Sequence, residues 1–161
     1  MSLASRLVGQ PREVWRELFR PPEELPVPRE FAKDLDDLRK LAWEGLYWEG
    51  EVEDMLYAVR EDAPLTDVAP GSGRLVSRYC EMRRELRHIQ APELQRHVRA
   101  LSEIFDYLAQ LLHHAVALLA TSWRSERLRD QQRRVGPVGP QGERLRRIVA
   151  ELDRLAAVER R

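Results

Sequence analysis

The sequence predicts an all-α protein: an elongated antiparallel helical bundle or coiled-coil-like hairpin, with about four main helices and a short N-terminal helix. Three observations carry this. Apolar residues recur at alternating steps of three and four along most of the 161-residue chain, the spacing that keeps one helical face apolar. No segment sustains the period-two alternation of β-formers that a half-buried strand requires. Proline and glycine gather in a few stretches that divide the periodic segments.

Residues 1–27 are assigned to an N-terminal docking helix and a proline-rich connector, and residues 28–161 to the bundle. Pro11 suits a first helical turn, and Val14, Trp15, Leu18 and Phe19 follow as an apolar stripe. PPEELPVP then reads as extended chain, because each proline biases its predecessor away from helical dihedrals. A helix over about 28–61 accounts for Phe31, Leu35, Leu38, Ala42, Gly45, Val52, Leu56 and Val59, with Glu49 as the one polar intruder. DAPLTDVAPGSGR, holding Pro64, Pro70, Gly71 and Gly73, predicts a loop. Leu75, Tyr79, Met82, Leu86 and Ile89 place the next helix at about 74–90, and Pro92 ends it in a turn or sharp bend.

The strongest periodicity follows: Leu94, Val98, Leu101, Phe105, Leu108, Leu112, Ala115 and Leu119. It predicts one helix over about 92–134, roughly 60 Å long at 1.5 Å per residue. VGPVGPQG breaks it, and Leu145, Ile148, Leu152, Leu155 and Ala156 mark a last helix at about 142–159. So long a helix would leave Leu112 and Leu119 uncovered, which favours association with a partner.

Composition narrows the function. Cys80 is the only cysteine, which excludes an intrachain disulfide and a cysteine-rich zinc site and fits a reducing compartment, cytoplasmic or nuclear. Glu13 and Glu17 argue against reading the Arg- and Ser-bearing N-terminus as an organelle-import presequence, which leaves an imported organelle as the lesser alternative. No uninterrupted apolar run approaches the ~20 residues of a membrane helix, so no membrane association is expected. Formal charge is zero overall, but residues 1–62 hold 15 acids against 9 bases and the remainder 12 against 18. Acidic helices lying beside basic ones would explain that asymmetry, as would a basic half facing phosphate.

WEGLYWEG, residues 43–50, pairs carboxylates with aromatic rings. A glycosidase needs its two carboxyls on opposite walls of a cleft, which one helix cannot supply. Helical projection aligns Trp48 with Leu41, Val52 and Met55 as the buried ring, and turns Trp43 and Tyr47 towards a neighbour or partner. Glu85-Leu-Arg-His88 has the Glu-x-x-His spacing of di-iron bundles, but the second copy that such a site needs is missing. Neither a Walker loop, a dinucleotide fingerprint nor Gly-x-Ser-x-Gly occurs, so neither a cofactor nor a metal is expected.

Arg83-Arg-Glu-Leu-Arg-His88 resembles the Arg-x4-His signature of HEPN-type helical ribonucleases over six residues, and no family is assigned on it. The resemblance implies Arg83 stabilising an RNA phosphate and His88 moving a proton, with Arg84 and Arg87 beside them. Eight arginines lie between Arg124 and Arg147, among them Arg127, Arg133 and Arg134, and they offer a second nucleic-acid surface. Apart from Trp123 this stretch has no aromatic side chain on which bases could stack.

The expected function is therefore that of a non-enzymatic adaptor or complex subunit, binding a protein partner or itself. Trp15, Trp43, Tyr47, Trp48, Leu112 and Trp123 are the candidate partner-binding residues, with Phe105 contributing to packing. The alternative is an RNA- or DNA-binding helical protein, or a ribonuclease built on Arg83 and His88.

Overall fold

A computed structural model describes residues 31–159. The expected N-terminal helix and connector, Trp15 with them, lie outside the described residues, as does the side chain of Arg124. Every regular element among the described residues is helical: α1 (Ala32–Arg60), α2 (Leu65–Leu86), α3 (Gln95–Thr121), α4 (Glu126–Arg133) and α5 (Pro140–Glu159). Short 3-10 turns at Pro92–Leu94 and Ser122–Arg124 lead into α3 and out of it.

The inward face of α1 is the predicted stripe, and Glu49 is buried within it. Asp62, in the left-handed region at φ 60°, ends this helix. Its N–H bonds to the Val59 carbonyl and that of Ala63 to Ala58, a Schellman-type closure in which Asp stands where Gly is usual.

The predicted loop at 62–74 is mostly helix, because α2 begins at Leu65 and carries Pro70 inside it. Period outweighs punctuation here: Val68 and Ser72 are buried and extend the Leu75–Tyr79–Met82–Leu86 stripe backwards by two steps. The carbonyl that Pro70 leaves without an N–H partner is that of Thr66, an exposed residue where water can satisfy it. At Gly71 a Cβ would stand 3.0 Å from the Met55 methyl, so α2 passes close to α1 here.

At Pro92 the chain makes a true turn. The Asp34 carboxylate accepts from the N–H groups of Gln90 and Ala91 at 2.8 and 2.9 Å, tying the start of α1 to the end of α2. Those two helices therefore run antiparallel.

The single helix expected over 92–134 is broken at Ser122–Ser125. Thr121, Ser122 and Trp123 bond back to the carbonyls of Ala117, Leu119 and Ala120, taking up acceptors at the end of α3. Ser125 then turns extended, and its hydroxyl accepts from the Leu128 N–H as the N-cap of α4. With α4 packed against α3, the leucines expected to be uncovered are inside: Leu112 is 1% and Leu119 7% exposed.

Polar pairs fix the direction of α5. Glu53 accepts from the Val138 N–H, Glu49 pairs with Arg146, and Trp43 with Asp153, a descending ladder that runs α5 antiparallel to α1. His97–Glu151 and Glu103–Arg144 do the same between α3 and α5. The segment Pro92–Thr121 is long and apolar enough by composition to cross a membrane, contrary to what uninterrupted runs suggested. In the structure α3 contacts α1, α2, α4 and α5.

Candidate functional site

The stripe that buries α1 leaves a second one on its far side. Lys40, Trp43, Tyr47, Gly50, Asp54 and Tyr57 follow steps of three and four, about 150° around the helix from the core line. Trp43 is 50% exposed, Tyr47 67% and Tyr57 57%. Three large rings on one outward line are unusual, because exposed aromatics normally occur singly.

Each ring makes a contact that orients it. The Trp43 indole N–H donates to both oxygens of Asp153 at 3.2 and 3.3 Å, and Arg39 clamps the same carboxylate at 2.8 Å. Tyr47 meets Trp48 edge-on with centroids 4.9 Å apart. The Arg60 guanidinium lies 5.2 Å above the Tyr57 ring, at cation–π range. Gly50 leaves a gap in the middle of the line, since a Cβ there would meet nothing within 4 Å.

Trp48 is half-buried where full burial was expected. Its N–H donates to Glu44 at 3.1 Å, so the ring borders the core instead of entering it. Glu44 in turn receives Arg78 on both oxygens at 2.6 and 2.7 Å, and Arg78 also reaches Glu81 and Glu85. The Arg78 bonds, seconded by the Trp48 N–H, hold the Glu44 carboxyl below the usual glutamate range against the opposing effect of burial.

A depressed carboxylate pKa contributes stability above its unfolded value and loses it as pH falls through the folded one. Arg78→Gln is therefore expected to cost about 1–2 kcal/mol at pH 7, discounted for partial exposure. Denaturant titrations at falling pH should show the gap to wild type closing. A gap that stays constant would exclude Glu44 as its source.

The remaining expected residues do not converge. Arg83 pairs with Asp106 on α3, whereas His88 lines a 480 Å³ cleft against α1 with Lys33, Asp37 and Lys40. The Arg-x4-His pair is thus split between two faces. Arg84 and Arg87 are exposed on α2 and just beyond it; Arg127, Arg133 and Arg134 are exposed on α4 and at its end. Trp123 is exposed with its N–H on the Ala120 carbonyl, and Leu112 is internal.

Two polar groups are nearly sealed, one of them the Glu49 that interrupts the apolar stripe of α1. His97 on α3 bonds Glu151 at 2.9 Å beside a 360 Å³ cleft bordered by Arg96, Arg144 and Arg147. Glu49 pairs with Arg146 at 3.0 Å on both oxygens, and burial pushes its carboxyl above the usual range despite that partner. The sequence reading also left out Tyr57, which continues the 43–47–50–54 steps of the outer line. Among the described residues no group of three His, Cys, Asp or Glu side chains is placed to hold a metal ion.

No protein-family model matches this chain, and neither a curated protein nor a solved structure shows significant similarity to it.

Proposed function

We propose that this chain is a non-enzymatic helical subunit, an antiparallel coiled-coil-like bundle that binds another protein along the outer face of α1. The observation that carries this is the line of Trp43, Tyr47 and Tyr57, open to solvent and facing away from the core. Tyrosine and tryptophan are the residues that interface hot spots favour, because they cover a large area at little entropic cost. The lone half-buried Cys80 fits a reducing compartment.

A photo-crosslinking residue in place of Tyr47 is expected to join the chain to a protein in cells. The adduct should disappear when Trp43→Ala and Tyr57→Ala are added, while the same group at Arg129 gives none. Absence of a protein adduct from position 47 would overturn the proposal.

Nucleic-acid binding keeps one support. Arg127, Arg129, Arg133 and Arg134 are exposed and have no ion-pair partner among the described residues. Short RNA at low salt decides it: such binding would weaken steeply with added salt, and no binding removes the option.

A further inference from the structure

We infer that the occupant of the α1 outer face is a basic amphipathic helix from another protein, and not a second copy of this chain; the inference rests on the protein-binding function proposed above. What points to this occupant is the charge left over along the aromatic line. Glu51 and Asp54 are exposed beside the Gly50 gap, and Glu61 is exposed at its far end. None of the three has an ion-pair partner among the described residues.

Of the cations nearby, Arg78 is clamped on Glu44, and only Arg74, exposed on α2 across the groove from Glu51, has no ion-pair partner among the described residues. The Lys40 ammonium is 2.7 Å from Asp36, and Arg60 is drawn to the Val135 carbonyl and the Tyr57 ring. What the surface offers is therefore three aromatic rings and a surplus of negative charge, three unpaired acids against the one arginine.

Arginine and lysine side chains on an incoming helix satisfy both. A guanidinium can stack on Trp43 or Tyr47 while pairing with Glu51 or Asp54. From Trp43 to Tyr57 the line spans about 21 Å, four turns of a facing helix. Its apolar residues have two places to go. One is the gap at Gly50, and the other is the 240 Å³ groove between α1 and α2 lined by Trp48, Met55, Gly71 and Leu75, with Glu51 contributed by α1 and Arg74 and Arg78 by α2.

A second copy fits less well. Two-fold pairing of α1 with itself about Gly50 would set Trp43 against Tyr57, which is compatible. In an antiparallel pair, however, like flanks face each other, so Glu51 would meet its own symmetry mate near the axis. Like charges placed opposite one another destabilise a contact, and such juxtaposition is a common device against wrong partners.

The test uses the full chain and two synthetic helical peptides of about four turns, one with leucine at core positions and arginine on the flanks, the other with glutamate on the flanks. The arginine peptide is expected to bind saturably and the glutamate peptide not. Affinity should fall by about tenfold or more in Glu51→Lys with Asp54→Lys, and again in Trp43→Ala with Tyr47→Ala. Glu126→Lys, on α4, should leave it unchanged.

Equal binding of the two peptides, equal loss in the Glu126 control, or no saturable binding would each overturn the inference. So would sedimentation showing a wild-type dimer that Trp43→Ala dissociates. That last result would leave the protein-binding function standing, since the Tyr47 crosslink reads that function separately.

Discussion

Gly45→Ala is expected to destabilise the fold by about 1–3 kcal/mol, the usual range for overpacking a filled core. Gly50→Ala, five residues along the same helix, is expected to stabilise it by about 0.5–1 kcal/mol. The two glycines carry the same helix penalty and differ only in what faces them. A Cβ at Gly45 would lie 2.3 and 2.7 Å from two ring atoms of Phe105, which is fully buried on α3. Neither side of that contact can yield easily. Phe105 packs against Tyr79 with centroids 5.5 Å apart, and the Tyr79 hydroxyl donates to the Gly45 carbonyl at 3.3 Å. At Gly50 the added methyl meets only solvent. Thermal or denaturant melts of the two single variants check this, and shifts of the same sign would refute the assigned role of Phe105.

Gly142→Ala is expected to cost about 2–3 kcal/mol by pushing a buried carboxylate off its partner, a figure reduced because Arg146 is itself half-exposed. The new Cβ would stand 2.3 Å from Glu49 Oε1. Glu49 cannot swing into solvent, for it is 5% exposed and faces α5. Burial raises its pKa, Arg146 opposes that, and Glu53 and Glu143 add to it.

A carboxyl whose folded pKa is raised contributes stability that is complete below the unfolded value and is lost as pH rises through the folded one. Glu49→Gln should thus flatten the decline in stability just above the ordinary glutamate range. Glu44 has the opposite slope, because its pKa is depressed. Stability curves for Glu49→Gln and Arg78→Gln that bend in the same direction would contradict these assignments.

Much of the inner architecture was legible because apolar period is a strong signal. The α1 stripe, the α2 stripe from Leu75 onward and the α5 stripe all face inward as the spacing requires. What misled was local punctuation weighed without its surroundings. Pro70, Gly71 and Gly73 look like a loop, yet Val68 and Ser72 keep the helical step and α1 accepts the small Gly71. Conversely, Thr121, Ser122 and Ser125 contain no proline or glycine and still end α3, through side-chain bonds to its last carbonyls and a capping serine. A run of three hydroxyl residues within five positions was the available sign.

The candidate site was half legible. Trp43 and Tyr47 were placed outward by projection and Glu49 within the inner stripe, whereas the partner that accompanies its burial, an arginine 97 residues away with a glycine between them, is in no local window.

The distance in sequence between α1 and α5 has a consequence for synthesis. Arg39 and Asp153 are 114 residues apart and Glu49 and Arg146 are 97 apart, so α1 leaves the ribosome long before its clamp exists. In that interval α1, α2 and α3 can associate while Glu49 is still hydrated and ionised beside an open groove. Arrival of α5 removes that water last, so a nascent chain stalled before residue 140 would display an acidic notch that the finished protein hides.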